Sequence, residues 1–288
     1  PKNPITPDRI PGGSSSGSAV AVAGDLADLG LGTDTGGSVR IPALYNNLFG
    51  LRPTHGRVSA EGCMDLSAPL DTVGLMTRDA GSLAKGMAVL LGEPVAVPGL
   101  PDGEILIASS LFEPLEPRMR DIPALIAERL GVFPDCEIGD AEAMFRAGYE
   151  NFGVVQGLYA WAEHGAWIEA EKPRLAPDIL SRFDLAATRK REQEAPARAR
   201  ANVAYKSLTD VLDRGGFIIL PTGPAAAQKF SELSDPNALE SREVTRKMLL
   251  GLTSISPLLG VPQIQIPLPN TDGVPRGLSV MGARGSDR

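Results

Sequence analysis

The sequence holds few of the residues that usually declare a chemistry. Its two cysteines, Cys63 and Cys136, lie far apart and form no metal or redox pattern. They suit a reducing compartment, and a cytoplasmic location is the expectation, with no metal site. Its two histidines, His55 and His164, stand outside any nucleophile-elbow or Ser-His-Asp context. His55 reads as loop packing and His164 as an exposed or packed side chain. Aromatics make up 5% of the chain, and Tyr149, Phe152, Tyr159, Trp161 and Trp167 read as core residues, with pocket walls as the alternative. Lys and Arg number 28 against 35 Asp and Glu, a net charge of −7, so there is no basic stripe for nucleic acid. The Arg-rich stretch 188–200 is interleaved with Glu and reads as a solvated helix face. No apolar run approaches the roughly 18 residues of a membrane span, so no membrane partner is expected. No internal repeat is evident. What is left, at 43% hydrophobic and 22% charged, is a soluble acidic protein able to bury one large core or two smaller ones.

What the sequence does have is concentrated in residues 12–42, GGSSSGSAVAVAGDLADLGLGTDTGGSVRIP. Two Gly-Ser clusters flank a short apolar segment. A flexible linker would not run straight into Ala19-Val20-Ala21-Val22-Ala23, which suits a buried helix. Gly36-Gly37 lets the backbone approach a ligand closely. If a helix opens after Ser38, the amides of Thr35, Gly36, Gly37 and Ser38 converge on one point. That arrangement would stabilise an oxyanion beside a serine hydroxyl. A hydroxyl needs a base at neutral pH, and the other serine cluster is a candidate for moving the proton.

GGSSSGSAVAVA followed by GTDTGGSVRIP resembles the signature of the amidase signature family, serine amidohydrolases with a Ser–cisSer–Lys triad. The likeness continues in GLRPTHGRVS (50–59), LDTVGLMTR (70–78), 259–267 and 277–287, and is weak between about 92 and 217. The resemblance implies that Ser38 is the nucleophile and Ser14 the bridging serine, preceded by a cis peptide. It implies that Thr35, Gly36, Gly37 and Ser38 supply the oxyanion-hole amides. Thr222, in a strand-and-turn segment similar to one that lines family active sites, becomes a substrate-side candidate. Arg40 is implied to be structural, paired with a carboxylate such as Asp34, and Asp71 is implied to be structural too. The family lysine lies upstream of the first serine cluster, and Lys2 is not taken for it. The chain does not open on Met and stops inside a family motif. The expectation is therefore one partial domain over 1–288, lacking the lysine segment and the C-terminal end.

The implied fold is α/β, a mixed sheet covered by helices on both faces. In chain order, helices are expected over 16–29, 41–49 (capped by Gly50), 79–91, 116–130, 140–168 with an end at Lys172-Pro173, 181–212 with a break near Ala195-Pro196, and 251–260. Strands are expected at 31–33, within 51–59, and at 104–109, 217–221 and 263–268, with a surface connection over 92–103.

The expected activity is hydrolysis of a carboxylic amide through a serine acyl-enzyme. The combination of GGSSSGSA, GTDTGGSVR and RPTHG most resembles the simple amidase branch, and that resemblance implies a small or arylalkyl monoamide. The resemblance implies no metal or organic cofactor and leaves room for a homodimer. The alternatives are a glutaminase subunit of a tRNA-dependent amidotransferase, a catalytically dead amidase-like scaffold and, last, a linker-rich binding module.

Overall fold

A computed structural model of the chain describes residues 1–95, 99, 103–233, 235–269 and 272–287. Its strands are β1 (Leu29–Thr33), β2 (Phe49–Arg52), β3 (Val73–Thr77), β4 (Ile105–Ile107), β5 (Phe217–Pro221), β6 (Gln263–Pro267) and β7 (Gly277–Met281). They form one seven-stranded sheet in the order β1-β3-β2-β6-β7-β5-β4. The β4–β5 pair is parallel and the others antiparallel.

Twelve α-helices lie among the described residues: α1 (Ser16–Ala23), α2 (Arg40–Tyr45), α3 (Ala80–Leu91), α4 (Pro117–Arg120), α5 (Ile122–Leu130), α6 (Ala141–Glu171), α7 (Pro177–Ala187), α8 (Glu194–Ala204), α9 (Lys206–Leu212), α10 (Phe230–Leu233), α11 (Leu239–Thr253) and α12 (Ile255–Leu259). Alternation along β3 shows how both faces are covered. Met76 packs with Ala19 and Val22 of α1 and Ala43 of α2. Its neighbour Leu75 packs on the opposite face with Leu83 and Met87 of α3. The largest core lies at the other end of the sheet, where Ile218 and Leu220 meet Phe112, Phe145, Leu208 and Leu252. The expected α/β class is what the chain adopts. Among the described residues, no helix is long and apolar enough to cross a membrane.

Local chemistry explains the ends that were readable. Asp79 caps α3 by accepting from the Ser82 amide at 2.8 Å, and Gly92 closes it in the left-handed region. Asp140 caps α6 in the same way, and Lys172 ends it at φ 45°. Two family-like segments far apart in sequence meet in space. The Thr54 hydroxyl donates to Asp287 at 2.7 Å and Arg57 pairs with the same carboxylate at 2.9 Å.

Several expected elements differ. The first helix stops at Ala23 with Gly24 as its cap, because Asp25 turns the chain at φ 57° and residues 29–33 are drawn into β1. The helix after Ser38 ends at Tyr45, capped by Asn46. Gly50 is no cap but lies inside β2, against α2. The 116–130 helix is two helices meeting at Asp121, with Pro123 in the first turn of α5. The 181–212 helix is three, broken at 188–193 rather than at Pro196. That proline sits in the first turn of α8, where its missing N–H costs nothing. The 251–260 helix is the end of the longer α11 followed by α12. Strand β4 is shorter than expected, giving way to a 3₁₀ turn at Ser109–Leu111. The connection over 92–103 lies partly outside the described residues.

Gly50 generates a test. A Cβ there would stand 2.5 Å from the Cβ of Ala43, and both atoms are fixed by backbone. Gly50→Ala should destabilise the protein by about 1–3 kcal/mol by overpacking α2 against β2. Urea denaturation measures this, and an unmoved midpoint would show that the helix shifts without cost.

Candidate active site

The segment between β1 and α2 is built around the Asp34 side chain, which has no exposure to solvent. One carboxylate oxygen accepts from the Gly37 amide at 2.8 Å and from Arg40 Nη2 at 2.8 Å. The other accepts from Arg40 Nε at 3.0 Å and from the Val39 and Arg40 amides at 3.2 and 3.3 Å. Arg52, equally buried, donates to the Asp34 carbonyl and lies 3.4 Å from its carboxylate. Arg40 extends the web to Gln263 Oε1 on β6 at 2.5 Å and to the Thr253 carbonyl of α11 at 2.8 Å. Burial pushes the Asp34 carboxyl up. The charges of Arg40 and Arg52 and the Gly37 amide outweigh it and hold the group well below the usual carboxylate range. Burial also pulls the Arg52 guanidinium down to about 10, against the opposing pull of Asp34, so it stays charged at neutral pH. The implied Arg40–Asp34 pairing is thus present.

The first serine cluster lies against this segment. The Ser15 amide donates to the Ser38 carbonyl at 3.2 Å, tying the two loops together. The Gly13–Ser14 peptide is cis, as the resemblance implies. The three consecutive serines are not equivalent. The Ser16 hydroxyl donates to the Gly12 carbonyl at 2.5 Å. The Ser15 side chain packs where a Cβ on Gly32 would otherwise stand. Ser14 is exposed, and its hydroxyl has no protein partner among the described residues. The Ser38 hydroxyl, half-buried, has none there either.

The four expected oxyanion amides divide. That of Gly37 points inward to Asp34 and is not available to a ligand, which corrects the expectation for that position. The amides of Thr35, Gly36 and Ser38 meet no protein acceptor among the described residues. The Thr35 hydroxyl is held by Asp71, whose other oxygen accepts from the Leu66 and Ser67 amides, both at 2.8 Å. Thr222 is also corrected. It is fully buried, its hydroxyl engaged with Gln265 and, at 2.7 Å, with Ser279, so it presents no surface to a substrate here. His55 and His164 each bond a backbone carbonyl, of Ala68 and Asp65 respectively. Sequence reasoning missed Arg52, Gln263 and Thr253. Arg52 alone carried a signal, since it lies inside the GLRPTHGRVS segment.

Next to the serine loop is a cavity of about 400 Å³, lined among others by Gly12, Gly13, Ile41, Tyr45, Leu249 and Arg242. Ile41 connects it to the segment that carries Ser38, because its Cδ1 lies 2.8 Å from where a Gly37 Cβ would be.

A family model described as Amidase matches residues 1–99. Amidase 1 of Oryza sativa subsp. japonica is 33% identical over 318 residues, taking in 100% of this chain and 71% of its own length. The chain belongs to the amidase family. With membership comes a class of reaction, hydrolysis at an amide carbon–nitrogen bond. A glutamyl-tRNA(Gln) amidotransferase subunit of Methanothermobacter thermautotrophicus is 30% identical, over 99% of this amidase-family chain and 66% of its own length. A solved amidase structure superposes with a TM-score of 0.83 at 27% identity, over 99% of this chain and 66% of that one. The amidase-family chain therefore spans about two thirds of two of these relatives.

Asp34→Asn should cost about 3–5 kcal/mol, because it leaves Arg40 and Arg52 buried without a counter-charge and turns an NH₂ toward donors. The pH dependence has a definite sign. Asp34 is depressed in the fold, so its stabilisation is complete above the ordinary aspartate value of about 3.9. It is lost as pH falls from there through the folded value. Urea melts from pH 6 to 2 should show wild type losing more stability on acidification than the variant. Parallel losses would remove Asp34 from this role.

Proposed function

We propose that Ser38 is the nucleophile of an amide hydrolase and Ser14 its proton relay, with the base supplied by a lysine outside this sequence. In the step proposed, Ser38 Oγ attacks the amide carbonyl and gives its proton to Ser14 as the C–O bond forms. The carbonyl oxygen becomes an oxyanion received by the amides of Thr35, Gly36 and Ser38. The C–N bond then breaks, the proton passes through Ser14 to the leaving nitrogen, and ammonia or an amine departs. Water attacks the acyl-enzyme by the reverse relay and releases the acid.

One observation carries this reading. Of the hydroxyls brought together by the Ser15–Ser38 contact, those of Ser16 and Thr35 are committed to protein acceptors and Ser15 is packed against β1. Of the remaining hydroxyls, which have no protein partner among the described residues, that of Ser14 is on the one exposed serine and that of Ser38 is half-buried. The adjoining cavity supports a small or arylalkyl monoamide, since its roughly 400 Å³ has an apolar side of Ile41, Tyr45 and Leu249 that could take one ring, facing a polar side with Arg242, Glu243 and Arg246. A reducing cytoplasm is the proposed setting, supported by two unpaired thiols, one of them exposed. The likeness to an amidotransferase component favours a second reading, release of ammonia from glutamine for a partner enzyme. Copurification with partner proteins would discriminate it.

Ser38→Ala should lower kcat by roughly 10³-fold or more and abolish labelling by a fluorophosphonate. Wild-type turnover in that variant would end the mechanism. Ser14→Ala should slow acylation by about 10²–10⁴-fold while leaving the melting temperature nearly unchanged. Ser16→Ala should be much milder. An unchanged acylation rate in Ser14→Ala, followed by stopped-flow release of the amine, would move the relay to Ser15 or Ser16.

A further inference from the structure

Thr253 ends α11 directly under the nucleophile segment, with none of its surface exposed. Its hydroxyl donates to the Gly36 carbonyl at 2.6 Å. The other acceptor in reach, the Leu249 carbonyl at 3.0 Å, belongs to the hydrogen-bond ladder of the helix itself. The other end of the same peptide unit, the Gly37 N–H, donates to Asp34 at 2.8 Å. The Gly36–Gly37 peptide is therefore held at both poles. Helices close on it from the side as well. A Cβ on Gly37 would meet Thr253 Cβ and Oγ1 at 2.9 Å, and one on Gly36 would meet the Phe152 ring of α6 at 2.5 Å. The Thr253 carbonyl in turn accepts from Arg40, so the threonine is joined to the buried ion pair as well as to the loop.

We propose that Thr253 is a positioning residue for amide hydrolysis, its hydroxyl fixing the plane of the Gly36–Gly37 peptide so that the flanking amides of Gly36 and Ser38 face the substrate carbonyl. The inference rests on the Ser38 reading above. A Gly-Gly peptide has no side chain to hinder its rotation, and Gly37 already sits at φ +117°. If the unit turned, the Gly36 carbonyl, an acceptor, would swing toward the place where donors must meet developing negative charge. Because Thr253 is fully buried, it acts through the loop and not on the substrate.

Thr253→Val keeps the shape and removes the hydroxyl, Thr253→Ala removes it with less bulk should valine not fold, and Thr253→Ser retains it. In the full-length protein, active sites are counted with a fluorophosphonate so that rates refer to reactive Ser38 only. The expected result is a fall in kcat per counted site of about 10–100-fold in the valine and alanine variants, with KM within about threefold. The serine variant should recover to within about threefold of wild type. A purely structural threonine would lower the countable fraction or the melting temperature but leave kcat per site unchanged. That outcome overturns the proposal, as does a serine variant as impaired as valine. Ser38→Ala is assayed alongside. If it turns over normally, the nucleophile assignment falls. If it is inactive while Thr253→Val works at the wild-type rate per site, only the role of Thr253 falls.

Discussion

A carboxylate sealed from water must find its stabilisation in fixed donors, and Asp34 finds it in the backbone and side chains that shape the segment around Ser38. The amides of Gly37, Val39 and Arg40 turn toward it, so the path of the chain around Ser38 follows from solvating one charge. Arg40 neutralises it, and the same guanidinium reaches β6 through Gln263 and α11 through the Thr253 carbonyl. A loop that looks local in sequence is thus set by elements more than two hundred residues away. The donors that meet Asp34 are spent on it, and what they fix is the course of the backbone that carries the unengaged amides of Thr35, Gly36 and Ser38.

The parts of this arrangement legible in the sequence are those whose cause is local. Gly36-Gly37 before a serine announces a close backbone approach, and the Asp79 and Asp140 caps announce helix starts, because each depends on residues within one turn. Strand β5, FIILP, is read from its own composition. The break at 188–193 is not legible, because it falls among ordinary helix formers, whereas the break at Asp121 carries a local signal, Pro123 in the first turn of α5, against which a single helix over 116–130 is the wrong expectation. Helix α11 is hidden for a related reason. Its N-terminal half, LESREVT, is polar enough to pass for a surface connection, and its role shows only where Thr253 meets Gly36.

The same distinction accounts for the two site expectations that the structure corrects, Gly37 and Thr222. A run of four residues can be seen to offer four amides, but not which one is turned inward. That depends on where the Asp34 carboxylate lies, and it lies behind Gly37. Thr222 follows a buried strand and stands in a family-like turn, yet its hydroxyl is absorbed by Gln265 and Ser279 on neighbouring strands. Strand registers decide that, and a single sequence does not display them.

Hydroxyl groups give the most direct account of the site. A protein hydroxyl next to a carbonyl or carboxylate normally donates to it, and a hydroxyl so engaged cannot also accept a proton along that direction and pass it on. Ser16 and Thr35 are in that condition, and the half-buried Ser15 side chain packs against Gly32 without a hydrogen-bond partner among the described residues. Three adjacent serines, indistinguishable as letters, are thereby sorted by geometry into one that braces the loop, one that packs and one that remains exposed. In the mechanism proposed above, Ser14 is the exposed serine of this cluster and so the one through which a proton from Ser38 would pass.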